Sequence, residues 1–178
     1  MNSEFKREIV AVASYLAARD ATESAVGARP VMPSDVVAFA LGRPVHDREA
    51  LQAGLTTDLG MRRLYREVLK SNRIGQSPLQ ACAHSGGTIT SRQGEGFMLR
   101  FKTSRASAEQ VYVTLEIRHE LDLTEGETVD IHAIGERQVL SVRFPPVHDG
   151  KAQRLFEHSD PVLALLRDDR AELELIKP

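Results

Sequence analysis

The apolar residues of this chain change their spacing partway along, and that change limits the fold more than any other feature. Met61, Leu64, Tyr65, Val68 and Leu69 recur at i, i+3, i+4, i+7 and i+8, which is one face of a helix. Beyond Gly87 the period falls to two. Val111, Val113, Leu115 and Ile117 alternate with Tyr112, Thr114, Glu116 and Arg118. Phe97, Leu99 and Phe101, then Val129, Ile131 and Ala133, then Leu140, Val142 and Phe144, then Leu173 and Leu175, repeat the pattern. A segment patterned for one period cannot bury its apolar face in the other form. The chain is therefore expected to be α+β with two domains: a small helical bundle over 1–75, a connector over 76–86, and an antiparallel β-sandwich or barrel over 87–178.

Punctuation between the apolar runs sharpens the helical half. Ser34 can cap a short apolar helix through Val36, Val37, Phe39, Ala40 and Leu41; Gly42 fits just past its end and Pro44 blocks continuation. Asp47 is a second cap, for a helix carrying Ala50, Leu51, Gly54 and Leu55. Thr57 or Asp58 restarts the chain as the third helix. Upstream, Phe5, Ile9, Val12 and Leu16 stripe an amphipathic helix over Asn2 to Arg19, and Asp20 to Met32 reads as a loop. Ser71 to Gln76 reads as a connector, with a further turn of helix over Leu79 to Ala83. In the β half, Asp160 and Pro161 open one short helix through Val162, Leu163, Leu165 and Leu166.

Composition bounds the function. The formal charge of −2 gives no bulk attraction to nucleic acid. Cys82 is the sole cysteine, so an internal disulfide is excluded and a reducing cytoplasm is expected. No apolar run reaches bilayer length, and Glu4, Lys6, Arg7 and Glu8 break any leader-like run, so no membrane role is expected.

No arrangement of reactive residues stands out. Cys82-x-His84 lacks a third ligand nearby. Ser85 is not in a Gly-x-Ser-x-Gly elbow, and Gly94-x-Gly96 has neither a following helix nor a P-loop lysine. His119-Glu120 and Asp130-x-His132 sit on or near strand ends, where a solvent-exposed polar face is the simplest account. No enzyme, cofactor or metal site is expected. One cluster remains: Arg62, Arg63, Arg66, Lys70 and Arg73 on the polar side of the last helix, with Arg62, Arg66 and Lys70 at repelling i, i+4 steps. It reads either as a solvated face with Glu67 as internal partner or as a contact for another protein.

The stretch from Pro33 to Leu69 resembles the anti-sigma domain, the small bundle that sequesters extracytoplasmic-function sigma factors. The resemblance rests on Phe39-Ala40-Leu41-Gly42, on the acidic restart Asp47-Arg48-Glu49, and on Leu55-Thr56-Thr57-Asp58 leading into the last helix. Where zinc-binding members carry a His and two Cys, this chain aligns Gly54, Asp58 and Met61, so it is similar to the zinc-less branch, in which a Leu-x-x-Asp turn replaces the metal. The resemblance implies a soluble, cytoplasmic regulator that binds a sigma factor. Phe39, Leu41, Met61, Arg62, Arg63, Tyr65, Arg66 and Lys70 are its expected partner-binding residues, with the apolar ones still to be divided between core and interface. The alternative is a non-catalytic adaptor or oligomerisation protein whose β half binds a peptide or protein, with a homodimer through that half.

Overall fold

A computed structural model describes residues 30–77, 89–118 and 121–178. The readings placed on Asn2 to Arg19, on most of Asp20 to Met32, on Leu79 to Ala83, on Cys82, His84 and Ser85, and on His119-Glu120 lie outside the described residues. Among those described, the chain is α+β, with four helices, three of them before the strands, and two antiparallel four-stranded sheets. Two compact units divide it, with the boundary between Asn72 and Arg73.

In the first unit α1 spans Pro33–Ala40, α2 Arg48–Thr57 and α3 Leu59–Asn72. Proline takes the first turn of α1, where a missing N–H costs nothing. Ser34 does not cap this helix. The Asp35 carboxylate accepts from the Met32 N–H at 2.8 Å instead, and Ser34 is left exposed. The expected stop at Gly42 is present in full. Gly42 has φ 67°, its N–H reaches Phe39 O, and the Arg43 N–H reaches Ala38 O at 2.8 Å. Asp47 caps α2 by accepting from the Ala50 N–H at 2.9 Å. Both α1 and α2 pack on α3. All five periodic residues of α3 are buried. Phe39 stacks on Tyr65 with ring centroids 5.8 Å apart, a pairing worth about 0.5–1.5 kcal/mol beyond simple burial.

The second unit begins sooner than its sequence indicates. Arg73–Ser77, expected as the end of the helical half and the start of the connector, is strand β1, so helix passes to strand with no residue between. Strands β2 (Ser91–Gly94), β3 (Phe97–Thr103), β4 (Gln110–Ile117) and β7 (Lys151–Glu157) form one sheet in the order β2-β3-β4-β7. Strands β5 (Val129–Ile134), β6 (Val139–Phe144) and β8 (Glu172–Ile176) join β1 in the other, ordered β1-β8-β5-β6. Helix α4 (Pro161–Arg167) crosses between β7 and β8, capped at 2.7 Å by the Asp160 carboxylate as its sequence predicts. Phe97, Leu99, Val113, Leu115, Ile131, Phe144 and Leu173, from both sheets, share one aliphatic-rich core with Leu163 and Leu166 of α4.

Arg92 is the unusual resident of this unit. It lies on β2 and is 4% exposed. Its guanidinium donates to the carbonyls of Leu166, Asp168 (2.6 Å) and Ala171, which are the C-terminal end of α4 and the turn that follows. A cation at that place meets both the orphan carbonyls and the negative end of the helix dipole.

Candidate partner-binding surface

The turn between α2 and α3 is built from the residues that the sequence singled out. Asp58 Oδ1 accepts from the Gly60 N–H at 2.7 Å and the Met61 N–H at 3.2 Å, so one carboxylate closes the start of α3. The Asp58 N–H, in turn, donates to Gly54 O at 2.8 Å and closes the end of α2. A Cβ at Gly54 would lie 3.0 Å from Met61 Sδ, so the bare glycine is what lets the thioether lie against α2. Gly54, Asp58 and Met61 therefore converge, held by hydrogen bonds and a sulfur contact.

Arg62 completes the clasp. Its Nε donates to Leu55 O at 2.9 Å and its Nη2 to Thr56 O at 2.5 Å. These are carbonyls of the last turn of α2, which have no partner within their own helix. Arg62 is half-buried and turned along the helix, so it leaves the solvent-facing row. The i, i+4 repulsion expected along Arg62, Arg66 and Lys70 is relieved at its first step, because that guanidinium is drawn towards the negative end of α2. Arg63, Arg66 and Lys70 are exposed.

The apolar candidates divide clearly in the folded chain. Phe39 (3% exposed), Met61 (9%) and Tyr65 (0%) belong to the core, while Leu41 is half-buried. Leu59, at the head of α3, is 67% exposed, and sequence reasoning passed over it. Leucine two residues ahead of the periodic face is the only signal that marked it. The accessible row of α3 is thus cationic along Arg63, Arg66 and Lys70, with Leu59 at its start.

The β unit holds a second polar group that the sequence misplaced. Asp130 and His132, expected on a solvent-exposed face, are 4% and 0% exposed. Strand β5 is internal to its sheet and buried at all six positions, so neither of its faces is open. Asp130 accepts from Arg143 through both carboxylate oxygens, Nε–Oδ1 and Nη2–Oδ2 each 2.8 Å, and that bidentate bond raises the Arg143 pKa. In register, His132 lies between Ser141 of β6 and Glu174 of β8, and Glu174 pairs with Arg73 at 3.2 Å. Serine, histidine and glutamate are the residue types of acyl transfer. A ring with no exposed surface cannot meet a substrate in this conformation, so the row acts as an internal polar layer.

The other residues considered for chemistry have local roles. Gly94 and Gly96 frame the β2–β3 turn, with Gly96 at φ 76°. Asp168 Oδ1 accepts from the Arg170 N–H at 2.9 Å and closes the turn after α4. His148 meets Glu125 at 2.8 Å on the surface, and His46 and His158 are exposed. Among the described residues, no helix is long and apolar enough to cross a membrane. No family model, curated protein or solved structure matches the chain.

Proposed function

We propose that the chain is a non-catalytic regulator of the anti-sigma kind, working in the cytoplasm without zinc and sequestering an extracytoplasmic-function sigma factor through its helical unit. The observation that carries the reading is the α2–α3 turn. At the three positions where the resemblance places metal ligands, Gly54, Asp58 and Met61 come together, and hydrogen bonds from Asp58 and Arg62 serve both helix ends there. A bundle clasped in this way keeps its shape without a cation. It leaves Arg63, Arg66 and Lys70 outside, with the exposed Leu59 one turn ahead of Arg63 on the same helix, and Leu41 half-buried after α1. That surface suits an acidic, amphipathic helix of another protein, for which rim charges set encounter rate and the leucines supply burial. In this reading the two sheets form a β-sandwich that serves as sensor or assembly scaffold.

Co-expression with a sigma factor encoded beside this gene is the test. A one-to-one complex on size exclusion is expected, and the triple variant Arg63→Glu, Arg66→Glu, Lys70→Glu should weaken it while the chain still folds. Two proteins that elute separately would refute the proposal.

A further inference from the structure

Strand β7 is an edge of its sheet, hydrogen-bonded in that sheet to β4 alone. The Ile117 N–H to Gly150 O and the His158 N–H to Glu109 O bracket that ladder. They fix its phase, so Ala152, Arg154 and Phe156 direct their backbone groups at β4, while Gln153, Leu155 and Glu157 direct theirs outward. Lys151 also faces outward, but its N–H and C=O are both engaged with His148, and Glu157 O accepts from the Asp160 N–H. The outward donors and acceptors of the edge are therefore centred on Leu155.

The side chains mark the same centre. Leu155 is 42% exposed, and its cross-strand neighbour Tyr112 is 36% exposed. With Leu59 of the helical unit, these are the exposed large apolar residues among those described. We infer that β7 pairs antiparallel with β7 of a second copy of this chain, about a two-fold axis at Leu155, joining two four-stranded sheets into one. The two Leu155 face each other and lie between the two Tyr112. Gln153 lies opposite Glu157 of the other copy, amide to carboxylate. On the core-facing side, Arg154 lies opposite Phe156 of the other copy, a cation beside a ring, as it already is within one chain at 5.6 Å. A shift of the axis to Arg154 would set two arginines against each other and would need the engaged groups of Lys151. Charge and backbone valence thus favour the Leu155 axis over the Arg154 one. On the core-facing side Arg154 Nη1 donates to Arg143 O of β6, so what the edge offers a second copy is the backbone row of Gln153, Leu155 and Glu157. The inference is independent of the regulatory reading above.

The experiment measures self-association of the full chain by sedimentation, and then cross-links it. Leu155→Glu sets two carboxylates face to face at an already exposed position and should raise the dissociation constant at least about tenfold. Directly paired residues have Cα atoms about 5.5 Å apart, within disulfide reach. In a Cys82→Ser background, Leu155→Cys should give a cross-linked dimer under mild oxidation. Glu157→Cys should not, because its two copies lie about 13 Å apart at ~3.3 Å per residue. A chain that stays monomeric to about 1 mM without a Leu155→Cys cross-link would overturn the inference. So would a dimer indifferent to Leu155→Glu, or an edge that takes up a foreign extended peptide while the copies stay apart.

Discussion

Replacing Arg92 by methionine should cost the β unit about 3–4 kcal/mol. Methionine keeps most of the aliphatic stem, so the change isolates the guanidinium. Three main-chain carbonyls lose a charged donor: Asp168 O at 2.6 Å and Ala171 O, both close, and Leu166 O at 3.4 Å, which counts for little. A hydrogen bond to a charged group is worth about 1.5–3 kcal/mol, and an acceptor left buried without water forfeits most of that. Asp168 O retains the Ala171 N–H, so its loss is partial. Releasing the guanidinium from the interior offsets some of the cost, but the remaining partners are carbonyls that cannot leave with it. At a urea dependence of about 2 kcal/mol per molar, the unfolding midpoint should fall by roughly 1.5–2 M with the slope unchanged. Urea unfolding followed by circular dichroism measures this directly. Arg92→Lys, a point charge without the fork, should recover less than half of the loss. If Arg92→Met shifts stability by less than about 1 kcal/mol, the view that this side chain holds the end of α4 is wrong.

Three further outcomes follow from the geometry. Arg62→Ala should destabilise the helical unit by about 1–2 kcal/mol on thermal unfolding, because two carbonyls of α2 lose their donor, while Arg63→Ala should stay within about 0.5 kcal/mol. Gly96→Ala should be clearly worse than Gly126→Ala: both have positive φ, but a Cβ at Gly96 would drive into Leu121 whereas at Gly126 it meets nothing within 4 Å, and a comparison of midpoints checks it. The Glu127 carboxyl is held below its ordinary pKa, first by its hydrogen bond with Lys177 and then by the Thr124 N–H, so its contribution to stability exists above the unfolded carboxylate value and is lost as pH falls through the lower folded one. Lys177→Gln should move the Glu127 midpoint upward in an NMR titration, and an unmoved midpoint would disprove the coupling.

The strands that the sequence announced are those with core on a whole face. Strands β3, β4, β5, β6 and β8 each carry an apolar alternation, and each is recognisable from it. The three it hid, β1, β2 and β7, are all sheet edges. Strand β2 buries only Arg92, and β7 only Ala152 and Phe156, four positions apart, so no period of two emerges. Edge strands also profit from polar side chains, which discourage unwanted pairing, and that erases the signal further. Caps at Asp47, Asp58 and Asp160 were legible because one carboxylate at one spacing suffices. The roles of Arg62 and Arg92 were not, since long-range donation to a carbonyl leaves no local pattern. Asp130 and His132 misled for a related reason: alternation marks which residues share a face, but not whether that face is covered.

Strand β1 finds its sheet partner only in β8, and Arg73 reaches Glu174 across 101 positions of chain. On the ribosome the opening strand of the β unit would wait, half-satisfied, until nearly all of the unit had been made. A loop of that length is slow to close, and meanwhile the waiting backbone is open to misplaced strands. Premature stops between Phe144 and Glu172 would release a product with two unfinished sheet edges at once, β1 and β5, rather than a slightly shorter version of the same protein.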